Sequence, residues 1–364
     1  MPNIAVIHGN GADRSCGTDP SNMWLDVVLL VESPTVDFYQ QQITSGIIEV
    51  FGQRTRIGTN YADPRTTRLA LISYNDTAAT VVGDLNKFQS FHQFNQAMHA
   101  TFDNRMPTYQ DSDIVKPFLA AEQVLQAGRS NGYRANYKQL IIMYGISCPD
   151  NQDAQIYEIT NRLKSNGVDI AIFNQNTEIK CVLSNVTSPG MYRPYVAFIE
   201  QDSFRFIFQA NCFCQTNWIN YAISANTTSG ICLQVSTNSV PWNTAKLACE
   251  NSNGYLATEF SQEKHDFSLS LFRNSTGLTA GFHIGLNYVN GGWYWQQPAG
   301  QPLVKLSTNT TFWNPGYPMS VSSNPGVANQ VDRDNNVGWR NIDKYTLPMK
   351  YVCERYTCDT DNYC

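Results

Sequence analysis

The sequence predicts a doubly wound α/β domain followed by a second, cysteine-dense module of strands and turns. Three observations carry this. From Asp26 to about Pro189 strand-like and helix-like segments alternate, the pattern of a parallel sheet covered on both faces. After Val196-Ala197-Phe198-Ile199 that alternation stops. The ten cysteines, at 16, 148, 181, 212, 214, 232, 249, 353, 358 and 364, crowd toward the C-terminal half. A length of 364 residues suits two domains of common size.

The first element, Trp24-Leu25-Asp26-Val27-Val28-Leu29-Leu30-Val31, is a near-continuous apolar run, as expected of a strand buried on both faces. Apolar residues near i, i+3, i+4 and i+7 then predict a helix over Val36 to Phe51. Arg68 to Tyr74 and Ala78 to Val82 flank Asn75-Asp76-Thr77, which reads as a turn between antiparallel strands. A helix follows over Phe88 to Phe102, another near Val115 to Gln126, a strand over Gln139 to Tyr144, a helix over Ala154 to Ser165 and a strand over Val168 to Phe173. Ligands of such a sheet are expected at the C-terminal ends of its strands.

The order and spacing of these elements resemble a von Willebrand factor type A domain over residues 24–189. In that family a divalent metal sits above the sheet, held by an Asp-x-Ser-x-Ser loop, a Thr from a second loop and an Asp from a third. Here the first loop reads Glu32-Ser33-Pro34-Thr35-Val36, and Tyr144-Gly145 stands where the third-loop Asp would be. Only Glu32 and Thr108 keep oxygen at those positions, and two ligands do not satisfy the octahedral demand of Mg²⁺. The resemblance therefore implies a scaffold without its metal. Asp150 and Asp153, beyond the fourth strand, read as acidic residues of a solvated loop.

Residues 212–356 carry a different set of landmarks: Cys214, Trp218 and Cys232; Val240 to Cys249; Gly254-Tyr255-Leu256-Ala257; Glu263 to Leu271; His283-Ile284-Gly285-Leu286; Gly292-Trp293-Tyr294-Trp295; and Tyr351-Val352-Cys353-Glu354. In this order they resemble a C-type lectin-like domain, an α+β fold stapled by disulfides. Trp293, Trp295 and Trp339 read as core, since aromatic side chains bury the most area. The resemblance implies a Cys249–Cys353 bridge, closing a loop of 104 residues worth about 4.7 kcal/mol in the chain-entropy account, and a Cys214–Cys232 bridge in an N-terminal hairpin. The second usual bridge has lost both partners, around Val327 to Val331 and at Lys344 or Tyr345. Cys358–Cys364, Cys148–Cys181 and Cys16–Cys212 complete one pairing among several that sequence permits. The division expected is an N-terminal segment 1–23, the A-type domain 24–189, a linker 190–211, the lectin-like domain 212–356 and a tail 357–364.

Calcium-dependent members of this family ligate a hexose-bound Ca²⁺ through Glu-Pro-Asn or Gln-Pro-Asp in a long loop and through Trp-Asn-Asp. The matching tripeptide here is Tyr317-Pro318-Met319, and Trp339 is followed by Arg340 and Asn341. Ca²⁺ takes 6 to 8 oxygens, and a guanidinium donates hydrogen bonds but ligates no cation. Neither Ca nor Mg is therefore expected as a cofactor. Trp313, Tyr317, Met319, Arg340 and Asn341 are the candidate ligand-binding residues, since Tyr, Trp, Met and Arg are enriched at interfaces. The loop Asp332 to Asn336 reads as a solvated turn.

The five histidines form no metal or catalytic motif, and neither Gly-x-Ser-x-Gly nor a phosphate-binding Gly loop is present, so no enzyme is expected. A net charge of −5 with dispersed Lys and Arg disfavours nucleic acid. The longest clean apolar stretch, Val27 to Val31, is far below the ~20 residues of a membrane helix, so no transmembrane segment is expected. Even cysteines and Asn-x-Ser/Thr acceptors at Asn75, Asn185, Asn226, Asn274 and Asn309 point to an extracellular glycoprotein, although Met1 to His8 does not read as a signal peptide. The domain pairing resembles a large group of nematode secreted proteins, implying extracellular recognition, adhesion or innate defence with protein or glycan partners. The alternatives are a carbohydrate-binding lectin with a non-standard site and a structural matrix component.

Overall fold

The structure, a computed structural model, describes residues 12–33, 37–52, 54–102, 113–145, 154–174, 183–194, 199–224, 227–320 and 325–364. Two compact units divide the chain: an A-type unit of residues 16–213, 225–227 and 358–364, and a lectin-like unit holding 12–15, 214–224 and 228–357.

The A-type unit has strands β1 (Leu25–Glu32), β2 (Arg68–Tyr74), β3 (Ala79–Gly83), β4 (Lys138–Gly145), β5 (Val168–Asn174) and β6 (Tyr192–Pro194). They lie in the order β3-β2-β1-β4-β5-β6. β3 runs antiparallel to β2; the other neighbours are parallel. Helices α1 (Asp37–Ile47), α2 (Phe91–Thr101), α3 (Val115–Gly128), α4 (Ala154–Ser165) and α5 (Ile199–Ala210) cover it. Successive side chains of a strand point to opposite faces. Leu25, Val27, Leu29 and Val31 accordingly enter one core with Ile43, Phe94 and Phe206, whereas Val28 and Leu30 enter the other with Phe118, Ile159 and Leu163. Two buried faces explain why β1 reads as a continuous apolar run.

At the N-terminal end of β1 the fully buried Asp26 accepts hydrogen bonds from Arg68 at 2.9 and 2.7 Å and from Arg134 at 2.9 Å. A buried carboxylate must be paired in this way, because an isolated charge inside costs far more than it returns.

The chain divides differently from the sequence expectation at three places. The stretch 190–211, read as a linker, supplies β6 and α5, with Phe206, Ile207 and Ala210 buried in the first core. The tail is no appendage: residues 358–364 belong to the A-type unit. There Trp24 Nε1 donates to the Asp359 carbonyl at 2.9 Å, and the Tyr363 ring lies 4.7 Å from that of Trp24. Residues 12–15, from the expected N-terminal segment, join the lectin-like unit. Their Arg14 carbonyl accepts from Gly230 N at 2.7 Å, and a β-carbon on Gly230 would lie 2.5 Å from the Ser15 carbonyl oxygen.

The lectin-like unit contains β7 (Ile219–Ser224), β8 (Thr227–Val235), α6 (Trp242–Asn251), β9 (Tyr255–Leu256), α7 (Gln262–Thr276), β10 (Phe282–Val289), β11 (Gly292–Trp295), β12 (Val304–Lys305), β13 (Gly326–Val331), β14 (Val337–Ile342) and β15 (Lys350–Tyr356). β12-β11-β10-β15-β8-β7 form the main path, with β13 and β14 branching from β10. Helix α7 begins where the Ser261 hydroxyl accepts from Lys264 N at 3.2 Å, and ends at Gly277, whose φ of 73° suits a residue without a β-carbon. Its core gathers Phe272, Phe282, Leu286, Trp295, Trp339 and Val352.

The bridges Cys16–Cys212, Cys214–Cys232, Cys249–Cys353 and Cys358–Cys364 are all formed. Cys148–Cys181 lies outside the described residues.

Candidate functional site

Two regions were singled out by sequence, one in each unit. At the C-terminal end of the A-type sheet, Glu32 closes β1 and is almost completely buried. A β-carbon on Gly145 would lie 2.3 Å from the Tyr74 hydroxyl and 3.2 Å from Glu32 Oε2, so tyrosine and carboxylate converge on the spot that the glycine leaves open. Burial, and then the nearby Glu32 charge, pushes the Tyr74 hydroxyl well above its ordinary pKa. Tyr144, buried and pushed up to about 12 by that burial, stacks on Phe173 with ring centres 5.0 Å apart and meets Ser203 at 3.4 Å. Thr108, Asp150 and Asp153 lie outside the described residues.

In the lectin-like unit the long loop reaches its landmark residues through Trp313, which bridges to Trp339 on β14. Asn314 is buried and fastens the loop, donating Nδ2 to the Gln330 carbonyl at 2.8 Å. Tyr317 N donates back to the Asn314 carbonyl at 3.0 Å, Gly316 takes a φ of 84°, and the Tyr317-Pro318 peptide is cis.

This turn brings the candidate residues into two pairs. The Arg340 guanidinium carbon stands 5.2 Å from the centre of the Tyr317 ring, a cation–π contact, while its Nη2 donates to the Val331 carbonyl at 2.8 Å. Asn341 uses both ends of its amide on Met319: Oδ1 accepts from the Met319 N–H and Nδ2 donates to the Met319 carbonyl, each at 2.9 Å. The Met319 side chain is left outward, 52% exposed. Trp313 is only partly buried and sits apart from these pairs, with its ring 4.9 Å from Trp293 and 5.5 Å from Trp339. It serves as the seam between loop and core.

Beneath the loop lies a cluster that motif reasoning passed over. Glu259, 1% exposed, accepts from His265 Nδ1 at 2.8 Å and Trp339 Nε1 at 2.7 Å on one oxygen, and from Asn329 Nδ2 at 2.8 Å on the other. The His265 ring also stacks on Phe312 at 4.5 Å. Burial works against charge on that ring, but the Glu259 carboxylate, by its charge and its hydrogen bond, raises the pKa above the ordinary value. His283, the residue departing from the family signature, is buried and donates Nε2–H to the Val240 carbonyl at 2.9 Å; burial pulls it down to about 4. A second buried cluster holds Lys264 between Glu354, at 2.9 Å, and Asp13, with Thr258 Oγ1 accepting at 2.8 Å. Sequence distance hid both clusters: Glu259 and Trp339 are 80 positions apart.

Of the glycan acceptors, Asn185, Asn274 and Asn309 are exposed and Asn75 is half-buried in its turn, while Asn226 lies outside the described residues.

Comparison with known proteins places both units. The von Willebrand factor type A domain matches residues 26–207 and the Lectin C-type domain residues 238–355. Over 380 aligned residues the chain is 22% identical to C-type lectin domain-containing protein 160 of Caenorhabditis elegans, covering 98% of this chain and 56% of that protein. It is 28% identical over 141 residues to C-type lectin domain family 4 member A of Homo sapiens, covering 39% of this chain and 53% of that one. The chain thus spans about half the length of these curated relatives. Human lithostathine is a similar solved structure, 22% identical, covering 41% of this chain and 94% of its own with a TM-score of 0.33. The first match spans half of the sequence, and the chain belongs to the von Willebrand factor type A domain family, carrying a C-type lectin domain after it.

Proposed function

We propose that this chain is a secreted recognition protein that binds protein or glycan ligands through the long loop of its lectin domain without calcium. Both matched domains are of recognition and adhesion types, which supports extracellular binding rather than catalysis. Among the described residues no helix is long and apolar enough to cross a membrane.

One observation carries the calcium-independent reading: the four positions that would ligate Ca²⁺ are engaged with one another. Tyr317 and Arg340 form a cation–π pair, and the Asn341 amide is spent on the Met319 backbone. A thioether, a ring and a guanidinium do not fit the hard-oxygen shell of Ca²⁺. In the A-type unit, Glu32 brings one carboxylate among the described residues at the C-terminal end of the sheet, short of the octahedral oxygen shell of Mg²⁺. Binding would instead rest on a few desolvated anchors, Met319 and the Arg340–Tyr317 pair.

The test is binding of the full chain to a glycan array and to extracellular protein extracts, with calcium and with EDTA. Ligand retained in EDTA and lost in Met319→Ala or Arg340→Ala is the expected result; ligand that requires calcium would overturn it. A sugar reading is favoured by one specific feature, the partly buried aromatic row Tyr288, Trp293 and Trp313, with ring centres 5.3 and 4.9 Å apart. EDTA-resistant glycan signal that survives Arg340→Ala and disappears in Trp293→Ala would select it. A cross-linked matrix role is tested on a non-reducing gel, where disulfide-linked multimers of the full chain would favour it.

A further inference from the structure

Between α3 and α4, at the end of the sheet away from Glu32, the A-type unit has a cleft of about 310 Å³. Leu125, Leu163 and Val168 form its apolar wall, and Gln126, Gln139 and Asn166 bring amides to it. Gln139 is 5% exposed and is fixed by donating Nε2 to the Leu125 carbonyl at 3.2 Å. The cation lining the cleft is Arg129. One of its nitrogens, Nη2, donates to the Tyr137 carbonyl, while Nε is buried with no partner.

Glu122, also on the lining, does not neutralise Arg129, because it is held by Arg162 through two hydrogen bonds of 2.8 and 2.7 Å. Lys138 and Asp169 likewise pair with each other at 3.4 Å. The Asp26 charge that reaches Arg129 is already shared by Arg68 and Arg134. Two guanidiniums already share that carboxylate, so it does not neutralise Arg129. An under-paired guanidinium at a small cleft walled by amides and leucines is complementary to an anion with a short amide neighbourhood.

We propose that this cleft binds a carboxylate on a peptide, with Arg129 taking the carboxylate and the Gln126, Gln139 and Asn166 amides lying along the adjoining peptide unit. The carboxylate is that of a chain terminus or of an Asp or Glu side chain, and two probes separate these sources. Calorimetric titration of the full chain with Ac-Gly-Gly-OH presents a terminal carboxylate, and with Ac-Gly-Asp-NH2 a side-chain one. Ac-Gly-Asn-NH2 is the uncharged control.

Affinity on the order of millimolar is expected for at least one acid, weakening in higher salt, with none for the control. Arg129→Gln should abolish it. Since Arg129 also holds the Tyr137 carbonyl, a loss there is checked with substitutions of the exposed Asn166. Asn166→Asp should weaken binding severalfold and Asn166→Lys strengthen it by a similar factor, as expected for one charge placed near another at a protein surface. Equal binding of the control, no heat with either acid at tens of millimolar, or an affinity indifferent to both Asn166 variants overturns the proposal.

Discussion

Arg340 and Asn341 show how two substitutions redirect a loop. A guanidinium offers five donors and no lone pair, so it turns to the Tyr317 ring and the Val331 carbonyl; Asn341, with one donor-bearing and one acceptor end, closes on the Met319 backbone. Replacing Tyr317→Glu, Met319→Asn, Arg340→Asn and Asn341→Asp together should therefore create a calcium-dependent rise in melting temperature, since a ligand bound only by the folded state stabilises it; on the calcium-free function proposed above, the unsubstituted chain should show none. Histidines in the same unit set opposite pH limbs. His265 has a folded pKa above its unfolded value, so its contribution is present below about 6.5 and is lost as pH rises through the folded value. His283, held at about 4, contributes above its ordinary 6.5 and loses that contribution as pH falls toward 4. Melting temperatures between about pH 4 and 8.5 should fall on both sides; His265→Gln should flatten the alkaline limb and His283→Phe the acid one.

Strand β10 shows what a single small residue does for an element. A β-carbon at Gly285 would lie 2.4 Å from the Leu256 carbonyl oxygen, backbone that has no room to move because Gly285 N donates to Ala257 at 2.7 Å. Gly285→Ala should cost about 1–3 kcal/mol, read as a lower urea midpoint at unchanged slope. The glycine belongs to His283-Ile284-Gly285-Leu286, and that signature was legible without coordinates. So were the runs that became β1, β2, β4 and β5, because burial on both faces writes itself as continuous hydrophobicity. Helix α5 was not legible: its apolar positions Phe206, Ile207 and Ala210 matter only against a core supplied by α1 and the sheet, and the cysteines that follow drew the boundary too early. The loop pairs were half legible. Sequence gave the four residue types, whereas their mutual engagement depends on the turn fixed by buried Asn314.

Each unit is closed by chain from a distance. In the lectin-like unit Cys249–Cys353 ties α6 to β15 across 104 residues, and Asp13 reaches the buried Lys264 beside Glu354. Cys249→Ser with Cys353→Ser should cost this unit about 2–5 kcal/mol, seen as an early calorimetric transition while the A-type unit melts unchanged. In the A-type unit Cys358–Cys364 holds the segment whose Asp359 carbonyl receives the Trp24 indole, so the last residues of the sequence complete a core begun by β1.

Sequence by itself determined the two fold classes and most strand and helix positions, and through the resemblance it pointed to the Cys249–Cys353 and Cys214–Cys232 bridges. These are local facts, written in hydrophobic period, cysteine spacing and side-chain type. Tertiary structure decided which residues meet: Glu259 beneath Trp339, Lys264 between Asp13 and Glu354, Arg68 and Arg134 on Asp26, and the tail against Trp24. Each such meeting is a long-range pairing of buried polar or aromatic groups, and a buried polar group takes whatever partner the fold brings to it, at any distance along the chain.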